Sequence, residues 1–263
     1  MRRCRAALVS LFVGLLLWPM VAQAAVDRAK LLSDPGVFAT FAAFSLKDGW
    51  AAEDVQARIS YLKMLKSVID QHRERVAIDV YLLQGLTERT DLLFRIHATD
   101  LRDSQSFLND LRAGVFGRHL SERGLLQGMT KRAQYVPGFS EQMKADLAVP
   151  TEGGPRPYAI VIPIQKTAEW WALDEATRAG LMQAHTASTL PYTKTVARKL
   201  YHSTGLDDQD FITYFETARL DDFHALIRAH QQTKEFQYTR RMGHPIWLGR
   251  VVTIDELTEA LAQ

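Results

Sequence analysis

Cysteine is nearly absent from this sequence, because only one of its 263 residues, Cys4, is a cysteine. Cys4 lies in an N-terminal segment that has the features of a removable leader, so the rest of the chain has no thiol. This excludes disulfides, thiolate metal ligands and the CxxCH motif of c-type cytochromes. Any metal chemistry outside the cytoplasm must therefore use His, Asp, Glu or Tyr side chains.

The first 24 residues are typical of a secretory signal peptide. Three arginines precede an apolar run, and the small-residue motif AQA at positions 22–24 offers a cleavage site. A membrane anchor is the alternative, but an anchor needs about 20 apolar residues and no cleavage motif. We expect cleavage after Ala24, export to the periplasm and no membrane attachment of the mature chain.

Without the N-terminal leader, the chain has no excess of positive charge. The chain has 32 Lys and Arg residues and 30 Asp and Glu residues, but three of the arginines belong to the leader. The remaining 29 basic residues are balanced by 30 acidic ones. The mature chain therefore has no global positive field that would indicate nucleic acid binding.

The motifs of several enzyme classes are missing as well. The sequence contains no GxSxG motif, no P-loop and no GxGxxG motif, so a serine hydrolase, an NTPase and a dinucleotide enzyme are poorly supported. Its histidines form no HExxH motif or comparable metal-binding pattern.

The hydrophobic pattern, in contrast, contains one order of elements twice. The first round predicts a strand at 37–46, a helix around 55–69, strands at 76–86 and 90–99, a helix at 104–116 and a strand at 125–136. A linker rich in Pro and Gly is predicted at 137–157. The second round predicts a strand at 158–166, a helix at 174–189, strands at 193–201 and 211–217, a helix at 221–232 and a strand at 246–252. The sequence therefore predicts an α+β fold of two ferredoxin-like (βαββαβ) halves, residues 25–150 and 151–263.

One polar side chain interrupts an apolar strand face in the second half. Side chains alternate along a strand, so Arg198 and Leu200 share one face of their strand, and Thr213 and Phe215 share one face of the next. If the two strands are neighbours, a guanidinium lies in an otherwise apolar wall, where it needs a carboxylate or a bound anion. A solvated face is the alternative interpretation.

A histidine lies on the apolar side of the preceding helix. His185 comes four residues after Leu181 and three after Met182, a spacing that more often marks a satisfied core residue than a ligand. Lys166 and Glu235 flank the same predicted sheet, and a glutamate near an imidazole makes it a more basic metal ligand. Trp170 and Trp171 suit either the edge of a flat cofactor or plain core packing. The other histidines are interpreted as structural or exposed: His72, His97, His119, His202, His224, His230 and His244.

Taken together, these residues resemble the chlorite dismutase family. The likeness rests on the order and spacing of Lys166, the EWW motif at 169–171, His185, Arg198, Leu200, Thr213, Phe215 and Glu235. It extends over nearly the whole mature chain, although the first half resembles the family mainly in its architecture. The resemblance implies a fold of the dimeric α+β-barrel type, a homopentamer and a periplasmic location.

The resemblance also implies a cofactor, a reaction and a role for each of these residues. One noncovalent haem b per subunit is implied, with His185 as the axial iron ligand and with Glu235 and Lys166 supporting that histidine. Trp170, Trp171 and Tyr135 are implied as further haem contacts, Tyr135 through a propionate. Arg198 is the implied catalytic residue, which holds a hypochlorite-like fragment while chlorite becomes chloride and dioxygen. Leu200, Thr213 and Phe215 complete the implied distal pocket.

Other haem proteins remain as alternatives. A coproheme decarboxylase resembles this chain in fold and proximal histidine, but Arg198 and the leader argue against it. A dye-decolourising peroxidase is disfavoured because no GxxDG motif precedes the arginine. A periplasmic haem-binding or carrier protein, or a haem peroxidase without chlorite turnover, stays open at this point.

Overall fold

A computed structural model describes residues 25–149 and 151–263, so the predicted signal peptide lies outside the described residues. The strands are β1 Phe38–Leu46, β2 Val76–Leu82, β3 Leu92–Ala98, β4 Leu120–Met129, β5 Tyr158–Lys166, β6 Val196–His202, β7 Phe211–Thr217, β8 Thr239–Met242 and β9 Trp247–Val252. The α-helices are α1 Arg28–Ser33, α2 Gly49–Ala52, α3 Val55–His72, α4 Leu101–Ala113, α5 Val115–Arg118, α6 Glu141–Ala148, α7 Ala168–Ala172, α8 Glu175–Thr189, α9 Leu220–Gln231 and α10 Ile254–Leu261. Short 3-10 helices occur at Val136–Gly138, Leu190–Tyr192 and Lys234–Tyr238.

The strands form one antiparallel sheet that closes on itself. Their order is β7-β6-β4-β1-β3-β2-β9-β5-β8, and β5 also pairs with β7 along its length. Within this ring, β4-β1-β3-β2 is one ferredoxin-like sheet, and β6-β7-β5 with β8 and β9 is the other. The predicted α+β fold of two ferredoxin-like halves joined in a barrel is confirmed.

The two half-sheets meet through short joints. Between β4 and β6 the pairing is Met129 with His202, and between β2 and β9 it covers Val80–Leu82 against Arg250–Val252. The barrel interior is filled by aromatic and aliphatic side chains from both halves, among them Phe41, Tyr81 and Trp247. Closure of the barrel thus unites the halves around one shared core.

A buried ionic cluster crosses this interior. Arg95 on β3 is only 4% exposed and donates two hydrogen bonds to Asp79 Oδ2, at 2.7 and 3.0 Å. Its guanidinium lies 3.8 Å from the centre of the Tyr214 ring on β7, and Tyr214 in turn bonds Tyr81 of β2 at 2.9 Å. The charge of Arg95 is therefore paired by Asp79 within the N-terminal sheet, and its contact with the Tyr214 ring ties that sheet to the C-terminal one.

Helices cover the outer face of each half-sheet, and aspartates set where the long helices begin. Asp54, Asp100 and Asp174 cap α3, α4 and α8 by accepting backbone N–H bonds of the first turn. Beneath α3 and α4 lies a large apolar layer that includes Phe44, Leu62, Leu65, Phe94 and Phe107. Beneath α8 and α9 the buried cluster is much smaller: Ile160, Ile162, Val196, Phe215 and Leu226.

The structure departs from the sequence prediction at several places. Strand β4 ends at Met129, and Thr130 after it bonds the turn before β1, with its N–H donating to Val37 O at 2.8 Å and its hydroxyl to Asp34 O at 2.6 Å. The predicted linker at 137–157 contains the helix α6, which Ser140 caps. Strand β8 and helix α10 were not predicted, and α10 packs into the N-terminal layer, where its Leu261 carbonyl accepts from Trp50 Nε1 at 2.9 Å.

Across the described residues, none of the helices combines the length and the apolar character that a membrane crossing requires.

Candidate functional site

The space between the C-terminal half-sheet and its helices contains a cavity of about 770 Å³. This volume lies within the range of small-molecule and cofactor pockets. Apolar and aromatic side chains form much of its lining, and Glu235 is the one carboxylate among the described residues that line it. The predicted site residues that line it are Tyr135, Lys166, Trp170, Trp171, His185, Arg198, Leu200, Thr213 and Glu235.

His185 faces the cavity from the helical side. Its Nδ1 lies 2.8 Å from Oε2 of Glu235, which the 3-10 helix after α9 carries. Because a carboxylate can only accept, the proton of a neutral imidazole belongs on Nδ1 in this pair. The lone pair of Nε2 is then free, and this atom has no hydrogen-bond partner in the described part of the chain.

Lys166 holds the other side of the same carboxylate. Its Nζ donates to Oε1 of Glu235 and to Oγ1 of Thr239, the latter at 3.0 Å. The side chains of Lys166 and Glu235 are each 6% exposed, so the ion pair is largely removed from water. Trp170 covers the ammonium, which lies 4.7 Å from the centre of the indole. The result is a chain of contacts, Lys166 to Glu235 to His185, that fixes one imidazole edge.

The surroundings keep His185 neutral. Burial, followed by the neighbouring His230, Lys166 and Arg198, lowers the pKa of His185 to about 3. A neutral imidazole with Nδ1 protonated has the form in which histidine binds a metal through Nε2. Within the described chain, no three or more His, Cys, Asp or Glu side chains gather into a group that could by itself hold a metal ion.

The sheet side of the cavity carries Arg198. Strands β6 and β7 pair as predicted, with Arg198 opposite Phe215 and Leu200 opposite Thr213. The Arg198 side chain is open to the cavity, yet protein surrounds it closely enough that burial lowers its pKa. It donates to the hydroxyl of Thr189, and no carboxylate of the described residues forms a salt bridge with it. Arg198 is therefore a cation whose charge has no protein counter-ion, in a position open to an anion.

Leu200, Thr213 and Phe215 differ in how much of the cavity wall they form. Leu200 is 45% exposed and projects into the cavity, and Thr213 lines it while its hydroxyl donates to the carbonyl of Ile162 at 3.0 Å. Phe215 is buried behind this wall, where its ring packs edge-on against Phe223 with centroids 5.2 Å apart.

The aromatic residues occupy different depths. Trp170 is buried against Lys166 and Tyr238, whereas Trp171 is 45% exposed and stacks on Phe211 with ring centroids 6.1 Å apart. Tyr135 reaches the cavity from the segment after β4, so the N-terminal half supplies part of the lining.

Two of the histidines interpreted as structural or exposed also line the cavity, His202 and His230. The ring of His230 stacks on that of His185, with centroids 4.1 Å apart and planes inclined by 23°. The sequence contains a signal for this residue: His230 comes four residues after Leu226 and three after Ile227, the same spacing that singled out His185. Lys131 and Arg132 at the rim had no such signal, because they follow a strand end in a polar stretch.

Comparison with known proteins finds the same family for most of the chain. Residues 58–252 match the family described as chlorite dismutase. A chlorite dismutase from Ideonella dechloratans is 38% identical over 239 residues, which cover 90% of this chain and 84% of that protein.

Solved structures agree with the sequence match. The chlorite dismutase from Candidatus Nitrospira defluvii in complex with imidazole is 52% identical, with a TM-score of 0.89 over 90% of this chain and 100% of that one. A heme-binding protein from Thermus thermophilus has a TM-score of 0.72 at 20% identity, over 88% of this chain and 96% of that one, and shows the fold alone. The chain of 263 residues belongs to the chlorite dismutase family.

Proposed function

We propose that this protein is a haem b enzyme that converts chlorite to chloride and dioxygen, with one noncovalent haem in the cavity of each subunit. Family membership supports chlorite decomposition and a haem cofactor. The observation that carries the proposal within this chain is the pairing of two features in one cavity. A neutral His185 backed by Glu235 lies on the helical side, and an uncompensated Arg198 lies on the sheet side.

The residues present fit a haem. With its Nδ1 proton committed to Glu235, His185 can bind iron through Nε2, and the carboxylate makes the imidazole a stronger donor. Trp170, Trp171 and Tyr135 offer aromatic surface for a flat macrocycle, and Lys166 holds Glu235 in place. When bound, haem supplies the redox-active iron at which the chlorine–oxygen bonds of chlorite break.

Arg198 has two tasks in this proposal. Its permanent positive charge attracts the chlorite anion, and it retains the hypochlorite-like fragment until both oxygen atoms leave as dioxygen. The charge acts more strongly in a confined cavity than in bulk water, and the guanidinium fork presents several donors to an oxyanion. The overall reaction, ClO₂⁻ to Cl⁻ and O₂, consumes no net proton, so the pocket does not have to supply one to complete a turnover. Leu200, Thr213 and the Phe215 behind them complete this side of the pocket.

Variants of the Nitrospira protein support the choice of Arg198. Its solved variants replace one arginine, one of two adjacent tryptophans, or both, and the arginine follows the second tryptophan by 27 residues. In this chain Arg198 follows Trp171 by the same 27 residues.

An oxygen electrode tests the activity directly. Chlorite added to the haem-loaded protein should release about one O₂ per chlorite, as the balanced reaction requires. A protein that binds haem and releases no O₂ would instead be a haem carrier or a peroxidase.

Substitution of Arg198 tests its role. Arg198→Ala should keep haem and lose most O₂ yield, while a chlorination trap detects escaping hypochlorite. Arg198→Lys should lie between, because it keeps the charge and loses the fork. Unchanged O₂ yield and lifetime in Arg198→Ala would remove this residue from the mechanism.

We also propose a location and an assembly. Residues 1–24 would direct export to the periplasm, residues 151–263 would bind haem, and residues 25–150 would have a packing role in a homopentamer. Intact mass of the secreted protein should correspond to a chain that starts at Ala25, and light scattering should give five subunits. A full-length chain in the cytoplasm, or a monomer, would contradict these assignments.

A further inference from the structure

The ring of His230, which stacks on that of His185, has no role in the proposed function. We propose that His230 is a positioning residue, whose flat ring sets the plane of the His185 imidazole. The inference rests on the proposed ligation of iron by His185. It concerns the residue behind the ligand and not the ligand itself.

The Glu235 hydrogen bond alone leaves this plane loosely defined. The bond fixes one atom, Nδ1, at 2.8 Å from the carboxylate. The side-chain torsion that rotates an imidazole has broad minima, so the torsion itself does not select a plane. A ring held only at one nitrogen can therefore swing about that contact, which moves the Nε2 lone pair. A second, flat surface against the ring face removes this freedom.

His230 provides such a surface. Its ring lies nearly parallel to that of His185, at 23°, with 4.1 Å between the centroids. This is closer than the other aromatic pairs in the described chain, whose centroids are 5.2 Å or more apart.

The backbone holds both rings in place. His230 lies in the last turn of α9, and its carbonyl accepts two hydrogen bonds from Thr233, from N at 3.0 Å and from Oγ1 at 2.7 Å. The carbonyl of His185 on α8 accepts from Ser188 Oγ at 2.7 Å. The stacked rings thus come from two adjacent helices with anchored backbones, as preorganisation of a ligand requires.

The His230 side chain has two separate features, a flat face against His185 and a buried ring nitrogen. Its Nε2 is buried and has no hydrogen-bond partner among the described residues. An apolar side chain would fill the same space without burying an unpaired nitrogen. The flat face and the nitrogen are therefore separable by substitution. Phenylalanine keeps the face without the nitrogen, and leucine keeps neither.

The experiment compares His230→Phe and His230→Leu in the full chain loaded with haem. Electron paramagnetic resonance of the low-spin ferric cyanide adduct reports the orientation of the axial imidazole plane. The rate of haem transfer to a scavenging apoprotein reports how well the ligand is held. We expect shifted, broadened g values and about 10-fold faster haem loss in His230→Leu, the lower end of the effect of losing an outer-shell partner. His230→Phe should match the wild type in both measurements.

The results distinguish failure of the positioning role of His230 from failure of the proposed ligation by His185. Wild-type g values and haem loss in His230→Leu would overturn the positioning role. A His230→Phe variant that behaves as His230→Leu would also overturn it, because the nitrogen and not the face would then matter. A wild-type protein without histidine signals in its spectrum would instead refute the proposed ligation by His185. Thermal midpoints of the two variants, expected at or above that of the wild type, exclude unfolding as the cause.

Discussion

The two halves of the molecule share one order of elements and differ in what lies under their helices. In the N-terminal half, rings such as Phe44, Phe94 and Phe107 fill the layer between the sheet and α3 and α4. In the C-terminal half, the equivalent layer contains five fully buried hydrophobic residues and the 770 Å³ cavity. The fold therefore has one solid layer and one hollow layer, and the hollow layer contains the candidate site.

The first long helix of each half carries a histidine that bonds a carboxylate, and the two histidines differ in their surroundings. His72 at the end of α3 bonds Asp110 through Nε2 at 2.8 Å, and its ring packs edge-on against Phe107. His185 on α8 bonds Glu235 through Nδ1, also at 2.8 Å, and its other edge faces the cavity. A histidine–carboxylate pair is thus not by itself a ligand site. Whether such a histidine can bind a ligand depends on the space next to its ring and on whether its second nitrogen faces that space.

Alanine substitution of the two histidines tests this comparison and has the largest expected effect. His185→Ala should abolish haem retention during gel filtration, because it removes the only proposed protein bond to iron. His72→Ala should retain haem in full and instead lower the free energy of unfolding, by about 1–3 kcal/mol for a lost buried hydrogen-bonding side chain. The absorbance ratio of haem to protein and urea unfolding measure the two effects.

Two results would break the comparison. Full haem occupancy with an unchanged axial ligand in His185→Ala would remove this residue as the ligand. Haem loss in His72→Ala would show that the solid half also controls the site.

Truncation of one apolar side chain in each half distinguishes a residue that packs in the filled layer from one that lines the cavity. Phe107→Ala opens a void in the filled layer and should cost about 3–5 kcal/mol of unfolding free energy. Leu200→Ala removes a side chain that is 45% exposed to the cavity and should cost less than about 1 kcal/mol. Urea unfolding of the haem-free protein measures both. Equal costs would mean that the C-terminal layer is packed as tightly as the N-terminal one.

Substitution of the carboxylates Glu235 and Asp110 should affect haem binding differently. Glu235→Gln replaces the buried acceptor of the His185 proton, so we expect about 10- to 100-fold weaker haem binding and a higher reduction potential of the iron. Asp110→Asn should leave both unchanged, because Asp110 is 55% exposed and serves His72 alone. Spectroelectrochemical titration measures the potential. An unaltered potential in Glu235→Gln would argue against contact between the carboxylate and the ligand.

Much of the C-terminal half could be predicted because its strands are strongly patterned. The predicted strands 158–166 and 211–217 coincide with β5 and β7. Alternation put Arg198 on the face it shares with Leu200, and the structure adds the register that places it opposite Phe215. The haem and its ligand came from the family resemblance and not from the pattern. Spacing alone indicated only that a cation and a histidine faced an apolar space.

The missed features have physical reasons. Strand β8, with the sequence TRRM, is short, and its two arginines give no apolar alternation. Helix α10 does carry a sequence signal, the capping box formed by Thr253 and Glu256. The hollow layer itself could not be predicted, because a cavity depends on the distance between α8 and the sheet. That distance results from the packing of the whole barrel and not from any local sequence pattern.

The pH dependence of stability tests the joint between the halves. His97 on β3 bonds the hydroxyl of Tyr201 on β6 at 2.8 Å across the barrel interior. Burial, followed by Arg95, lowers the pKa of His97 from 6.5 to about 3. Protonation therefore favours the unfolded chain, so this contribution to stability is complete above pH 6.5 and is lost as the pH falls toward 3.

We expect His97→Gln to reduce the acid sensitivity of unfolding by up to about 1.4 kcal/mol per pH unit in this interval. Glutamine does not titrate and can still bond Tyr201. His224→Gln is the matched control, because His224 is an exposed histidine on α9 whose loss should leave the slope unchanged. Urea unfolding at several pH values between 4 and 7 measures the slope. Equal slopes in wild type and His97→Gln would mean that the joint tolerates a charged His97, and that acid acts instead on the hollow half.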